Sequence, residues 1–541
     1  MNILVGKPYP LPYLTYSKFV MLVSVYIVLL FNGPFIYKTY SAITLNTETI
    51  NWLFMLSIPI LLTALSVILI SWLSLITYVK PVAAISVILS AILFYATINY
   101  GVIFDKSMVQ NVVETNTGEV LSYLSLEFFV FLCLLGILPS IFLCRLKIIG
   151  NFRNRLKSFL ILNLVSIFVC GVTAVPFYQD YASTGRNHRD LTSYIVPFAF
   201  YTAGFKYLRN NYFYPPLPFR LLDSHPIRKS GPAKSITLVV VGETARAKSF
   251  FYQGYHRQTN PYTRQLNVKY FSKVKACGTA TAISVPCMFS RLNRHNYDAR
   301  ISQSQENVLD IIQRSGVDVT WIDNNSSCKG VCARLKTVQI PPNSDNPLCD
   351  GHYCFDEVLV NKLKSLLISS TSAHQLIVLH MIGSHGPTYF RRYPAEKRQF
   401  NPDCPRSDIQ NCETSTLINT YDNTIVYTDY VLSKLIHTLD SLNAEQKTFL
   451  YISDHGESLG EKGLYLHGFP YALAPEEQTH IPMIYWSNQL QQPEFNKCIG
   501  QLSKLPYSHD NLFDTLLGIS SVETPTYIPD LDILKPCTIK S

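Results

Sequence analysis

Apolar residues run almost unbroken through five stretches near the start of the chain: Phe19–Tyr37, Trp52–Val79, Val82–Tyr100, Leu121–Cys144 and Phe159–Phe177. A helix that crosses the hydrocarbon core of a bilayer needs about 20 apolar residues, so the pattern predicts five membrane-spanning helices. The first stretch lacks a small-x-small cleavage site and is followed by four others, so it reads as a retained anchor and not as a secretory signal. Arg145, Lys147, Arg153, Arg155 and Lys157 crowd the loop between the fourth and fifth spans without an acidic residue. That loop is expected to be cytoplasmic. The loop from Gly101 to Val120 carries Asp105, Glu114 and Glu119 against Lys106 and faces the other side. Everything after Phe177 then lies outside the cytoplasm. Leu191–Phe205 is apolar but short and holds Pro197, which suits an interfacial helix; the other reading is a buried helix of the domain that follows.

Prolines 215, 216, 218, 226 and 232 mark a linker, and from Lys234 the pattern changes. Short β-branched runs now end in polar residues. Ile236–Val241 leads into Gly242-Glu243-Thr244, and Val317–Ile322 into Asp323-Asn324-Asn325. Leu376–Leu379 leads into His380 and Gly383-Ser384-His385-Gly386, and Phe449–Ile452 into Ser453-Asp454-His455-Gly456-Glu457. His480–Trp486 reads as another strand, and Asn307–Arg314 and Thr424–Leu442 as helices. Alternating strands and helices predict an α/β/α sandwich on a mostly parallel sheet. The expected domains are 1–178, five transmembrane helices; 179–233, interfacial helix and linker; and 234–541, an α/β domain outside the cytoplasm.

Composition agrees with this division. Only 15% of the 541 residues are charged, against roughly 25% in soluble domains, and disorder, collagen and coiled coil are excluded. The net charge of +9 resides largely in membrane-flanking loops, so topology explains it without nucleic acid. Of 13 cysteines, ten lie in the domain placed outside the cytoplasm. Their close pairing predicts disulfides in an oxidising compartment: Cys277–Cys287, Cys328–Cys332, Cys349–Cys354, Cys404–Cys412 and Cys498–Cys537. None of the spacings matches a cysteine zinc site.

In open α/β sheets ligands bind beyond the carboxyl ends of the strands, and there the sequence supplies carboxylate and imidazole: Glu243, Asp454, His455, His385 and His467. Such a set suits one or two divalent cations: zinc, or manganese or magnesium where the site is richer in oxygen. A metal there acts as a Lewis acid and activates a hydroxyl nucleophile. Cys277–Cys287 brackets three hydroxyl candidates, Thr279, Thr281 and Ser284, and spacing does not choose among them.

The segments Val240–Phe250, Cys277–Ser290, Cys328–Cys332, Gly383–Pro394, Tyr421–Asp429 and Ser453–Pro470 resemble the phosphoethanolamine–lipid A transferases, a family that includes the mobile colistin-resistance enzymes. The resemblance implies a catalytic domain of alkaline phosphatase/sulfatase type. It implies transfer of phosphoethanolamine from phosphatidylethanolamine to a lipid A phosphate at the inner membrane of a Gram-negative bacterium. Core sugars or Kdo are the alternative acceptors. It implies zinc held by Glu243, Thr281, Asp454 and His455, with Thr281 the nucleophile, and His385 and His467 as candidates for the phosphate and for a second zinc. Lys329, Asn325 and Ser326 match a substrate-binding set, as do Asn111, Thr115 and Glu119, whose four-residue spacing puts them on one helix face. The pair Cys328 and Cys332 is one that some members lack.

Overall fold

The computed structural model describes residues 13–44, 51–115, 120–121, 123–342 and 346–538. Two compact units emerge: Met1–Lys106 with Leu124–Lys206, and Ser107–Tyr123 with Tyr207–Ser541.

In the first unit, four helices are long and apolar enough to span a membrane: Trp52–Leu73, Val79–Tyr100, Leu126–Arg145 and Phe152–Ala174. The expected first span forms as two helices, Tyr16–Phe31 and Gly33–Thr44, meeting at 56°. The break has a local and a tertiary cause. Pro34 cannot donate the backbone bond that would carry the helix through. At the junction the Asn32 side chain turns to Val196, donating from Nδ2 to its carbonyl at 2.9 Å and accepting its N–H at 3.0 Å. Counted as one span, the bent pair preserves the expected five. Phe19, Val23, Ile27 and Phe31 pack with Val67, Ile70, Val87 and Ala91. Inside this apolar bundle two polar pairs link the helices: Tyr16 Oη with Ser74 Oγ at 3.1 Å, and Asn163 Nδ2 with Ser71 Oγ at 3.1 Å.

The second unit is built on an eight-stranded sheet. Its strands are β1 Ser235–Gly242, β2 Lys269–Lys275, β3 Asp318–Asp323, β4 Lys336–Gln339, β5 His374–His380, β6 Gln446–Ser453, β7 His480–Ser487 and β8 Pro506–Ser508. Their order across the sheet is β8-β2-β7-β6-β1-β5-β3-β4. The strands from β6 to β4 are parallel, as expected. Strand β7 is not: it runs antiparallel to both β6 and β2. Two reversals restore the direction, so β2 points the same way as β6. Its exit therefore delivers the Cys277–Cys287 loop to the edge where β1, β5 and β6 end. Strand β2 escapes a sequence reading because its residues Lys269–Lys275 alternate buried Phe271 and Val274 with exposed lysines and form no apolar run.

Strand β1 is buried from Ile236 to Gly242, which requires cover on both faces. Helices Thr281–Phe289, Val308–Arg314 and Leu512–Ile519 share one core with Val239, Val241 and Trp321. Glu357–Ser369 packs on Thr414–Asp440, which lies against β6 and begins ten residues earlier than its apolar pattern suggests. The early turns carry the polar residues Asn419, Thr420, Asp422 and Asn423, all buried.

All five expected disulfides are formed. Constraint of the unfolded chain grows with the loop closed. Removing Cys498–Cys537, at a separation of 39 residues, should cost about 4 kcal/mol, and removing Cys328–Cys332, at a separation of 4, about 2 kcal/mol. Denaturant titration of the two double-alanine variants, followed by tryptophan fluorescence, checks that ordering.

Candidate metal and phosphoryl-transfer site

Two strand ends and one helix start converge. Glu243 follows β1, Asp454 and His455 follow β6, and Thr281 opens the helix Thr281–Phe289 after the β2 exit. All four are buried. Thr281 Oγ1 lies 3.0 and 3.2 Å from the two Glu243 oxygens and 3.3 Å from His455 Nε2. His455 Nε2 is also 3.5 Å from Glu243 Oε1 and 3.2 Å from Asp454 Oδ2. Candidate ligand atoms of Glu243, Asp454 and His455 thus fall within 4.8 Å of one another.

The surroundings decide which atoms remain available. His455 Nδ1 faces the Gly456 carbonyl at 3.0 Å, so it carries the proton and leaves the Nε2 lone pair directed inward. Asp454 Oδ1 accepts from the backbone N–H groups of Thr244 and His455, at 3.0 and 2.7 Å. Its buried Oδ2 takes no hydrogen bond among the described residues. Glu243 Oε1 accepts from Thr244 Oγ1 at 2.6 Å, and Oε2 from Asn325 Nδ2 at 2.8 Å. Burial and the neighbouring Glu243 carboxylate push Asp454 up to about 7. Burial also opposes ionisation of Glu243, but His385 and His455 outweigh it and bring that carboxyl down to about 2. Two carboxylates, one imidazole nitrogen and a hydroxyl, with one carboxylate oxygen left over, form the donor set of a divalent cation.

Two further imidazoles join this group. The His467 ring centre is 4.4 Å from that of His455 and 5.4 Å from that of His385. His467 Nδ1 is 2.9 Å from Glu457 Oε2, while Tyr389 donates its hydroxyl to Glu457 Oε1. Burial raises Glu457 to about 8. Gly383 permits the tight passage from β5 to His385: its φ is +51°, and a Cβ there would meet the Glu243 backbone oxygen at 2.6 Å.

Of the substrate residues expected from sequence, Asn325 touches the cluster directly through Glu243. Ser326 N donates to Asn325 Oδ1 and fixes that amide. Lys329, at φ +49°, is largely buried and directs Nζ to the Ser107–Tyr123 segment of the same unit. There it meets Glu114, not Asn111 or Thr115, at 3.9 Å from the carboxylate. Asn111 and Thr115 are joined to each other, Thr115 Oγ1 donating to the Asn111 carbonyl at 2.6 Å, and the helix Lys106–Glu114 ends just before Thr115. Glu119 lies outside the described residues.

Sequence reasoning missed three supporting groups. Glu457 was visible only as the acid two residues after His455. His380, at the end of β5, pairs with Asp323 at the end of β3 at 3.3 Å, and its other nitrogen faces Asn325 at 3.3 Å. His509 accepts the Cys277 N–H at 3.0 Å and donates to the Ser453 carbonyl at 2.9 Å, tying the nucleophile loop to the β6 end. Burial pushes His509 down to about 4, which keeps it neutral. His380 stands at the end of the Leu376–Leu379 run without a role assigned to it, and nothing local in the sequence announces the part His509 plays.

Comparison with known proteins covers both units. The profile of the family described as "Sulfatase" matches residues 235–522, and that described as "Phosphoethanolamine transferase EptA/EptB" matches residues 62–212. Phosphoethanolamine transferase EptA of Escherichia coli K12 is 38% identical over 537 residues, covering 97% of this chain and 98% of that protein. Phosphatidylethanolamine transferase Mcr-1 of Escherichia coli is 36% identical over 452 residues, 81% of this chain and 83% of the other. The solved lipooligosaccharide phosphoethanolamine transferase A of Neisseria meningitidis superposes with a TM-score of 0.93 at 35% identity, covering 97% of this chain and 99% of that one.

The donor set makes a direct prediction. Asp454→Asn, which changes charge without changing size, should abolish retention of a divalent metal through dialysis. Asn325→Ala, which removes a bond to the candidate ligand Glu243, should weaken metal affinity about 10- to 100-fold. Elemental analysis and competition with a chelator read the two effects.

Proposed function

Because this chain belongs to the phosphoethanolamine transferases of the EptA and Mcr type, we propose that it transfers phosphoethanolamine from phosphatidylethanolamine to a phosphate of lipid A, with zinc at Glu243, Thr281, Asp454 and His455. The carrying observation is the Thr281 hydroxyl, buried at the start of a helix and within hydrogen-bond reach of Glu243 and His455. When bound, zinc lowers the pKa of that hydroxyl and offsets negative charge on the transferring phosphoryl group.

The protein's own residues account for the rest. Thr281 Oγ1 attacks the donor phosphorus, the bond from phosphorus to the diacylglycerol oxygen breaks, and a phosphothreonine forms. The departing alkoxide takes a proton from His385 or His467, which lie together beside His455. Glu457 holds the Nδ1 side of His467 and so turns Nε2 toward the cluster. Diacylglycerol then leaves, and a lipid A phosphate oxygen attacks the same phosphorus and releases Thr281. Lys329, Asn325 and the imidazoles bear the charge that builds on the phosphoryl oxygens. The positive N-terminus of helix Thr281–Phe289 adds to this stabilisation.

The apolar helices of the first unit, together with the disulfides of the second, support an inner-membrane enzyme whose catalytic domain faces the periplasm. Attaching phosphoethanolamine brings an ammonium that offsets negative charge on lipid A and weakens its attraction for cationic peptides such as polymyxin and colistin.

Mass spectrometry of lipid A from cells expressing the chain should show a phosphoethanolamine mass increment that Thr281→Ala abolishes and Thr281→Ser partly retains. An increment on the core oligosaccharide with lipid A unmodified would move the acceptor to a core sugar or Kdo. Full modification by Thr281→Ala would overturn the covalent route.

A further inference from the structure

Behind the site a further buried carboxylate joins two of the segments that carry its chemistry. Asp356 is 2% exposed and stands at the head of the helix Glu357–Ser369. An aspartate in that place ordinarily caps its own helix by accepting from the N–H groups of the first turn. Asp356 makes no capping bond. It reaches sideways instead. Oδ1 accepts from the Ile382 N–H at 2.9 Å and from Asn324 Nδ2 at 2.8 Å, and Oδ2 accepts from the Gly383 N–H at 2.8 Å.

The three donors belong to the segments that leave the neighbouring parallel strands β3 and β5. After β3 comes Asn324 and then Asn325, whose amide reaches Glu243 and the Met381 carbonyl. After β5 come Ile382 and Gly383, with His385 two residues on. Arg392, itself buried, grips that second segment from its far end, donating from Nε to the His385 carbonyl at 2.8 Å. The main chain around His385 is thus held twice, before it by Asp356 and at it by Arg392. Asp356 is in turn anchored: Asn324 Nδ2 also donates at 3.1 Å to the carbonyl of Cys354, in the disulfide that precedes Asp356 by two residues.

We propose that Asp356 is a positioning residue for the transfer reaction, holding the His385 segment so that His385 passes its proton to the departing oxygen. This rests on the chemistry assigned above and selects His385 from the two imidazoles. As the bond from phosphorus to the diacylglycerol oxygen breaks, the His385 imidazolium loses a proton and that oxygen gains it. The placing of a proton donor matters only to a leaving group that needs the proton. An alkoxide does; a nitrophenolate, a far weaker base, departs without one.

The test therefore compares two donors on the full-length, metal-loaded protein in detergent: phosphatidylethanolamine, read by diacylglycerol release, and the para-nitrophenyl ester of phosphoethanolamine. Asp356→Asn keeps the shape but sets an amide against the Gly383 N–H. Its kcat for phosphatidylethanolamine should fall about 100-fold, the scale of a reacting group misplaced by about 1 Å, with KM within about twofold of native. The nitrophenyl ester should lose less than about threefold. Asp356→Asn added to His385→Ala should cost nothing beyond His385→Ala alone, because the two act as a unit. Equal loss on both donors, or additive losses in the double variant, would overturn the assignment. Should Asp356→Asn not fold, Asp356→Ser, which can accept without opposing the Gly383 N–H, carries the same comparison. A readout without turnover accompanies it: diethyl pyrocarbonate should modify His385 several-fold faster in the variant than in the native chain, with His509 unchanged, and an unaltered rate at His385 would equally sink the proposal. Failure of the transferase reading would show separately, as no diacylglycerol released by the native chain, while the labelling would still report whether Asp356 holds His385.

Discussion

Two carboxylates buried side by side are costly unless a cation satisfies them, and the second unit is organised around that condition. Glu243 and Asp454 sit at the exits of β1 and β6, adjacent parallel strands, so the sheet itself fixes their separation. Asp454 is braced by two backbone N–H groups and Glu243 by Thr244 and Asn325. None of those donors carries a full charge. Among the described residues, the cationic candidates in contact with them are imidazoles. A divalent ion held by Glu243, Asp454 and His455 would resolve the crowding, and the buried Asp454 Oδ2 takes no hydrogen bond that such an ion would displace.

From that constraint the second shell follows. Two of the histidines that face the cluster have their other nitrogen committed: His455 to the Gly456 carbonyl and His467 to Glu457. The remote pair Asp323–His380 braces Asn325, which in turn braces Glu243. On the opposite side, neutral His509 ties the nucleophile loop to β6. The site is rigid because every element bearing a reacting group is bonded to a neighbouring strand end. Such preorganisation lets a buried hydroxyl work as a nucleophile without moving.

Much of this was legible in the chain. Parallel strands buried on both faces write themselves as continuous β-branched runs, so β1, β5 and β6 and the chemistry after them could be found. Cysteine spacing sufficed for the disulfides because each bridge closes a local loop or, for Cys498–Cys537, joins the two cysteines left over. What escaped was tertiary. The antiparallel course of β7 and the presence of β2 depend on partners far away in sequence. The first span breaks at Asn32 because that side chain finds Val196, 164 residues later. Glu457, His380 and His509 look like ordinary loop or strand-end residues until the sheet brings their partners to them, and Glu114 looks like one more solvated loop charge.

The order of the chain and the order of the structure disagree in one place. Ser107–Tyr123 is encoded between two membrane helices yet belongs to the catalytic unit. The unit is therefore not a contiguous module. A truncation at Tyr207 yields the sheet and its candidate metal site but leaves behind the segment that Lys329 meets. Genetic exchange meets the same boundary. Recombination that swaps catalytic halves between relatives joins a sheet from one parent to a loop from the other, because two membrane-spanning helices separate the two segments in the gene.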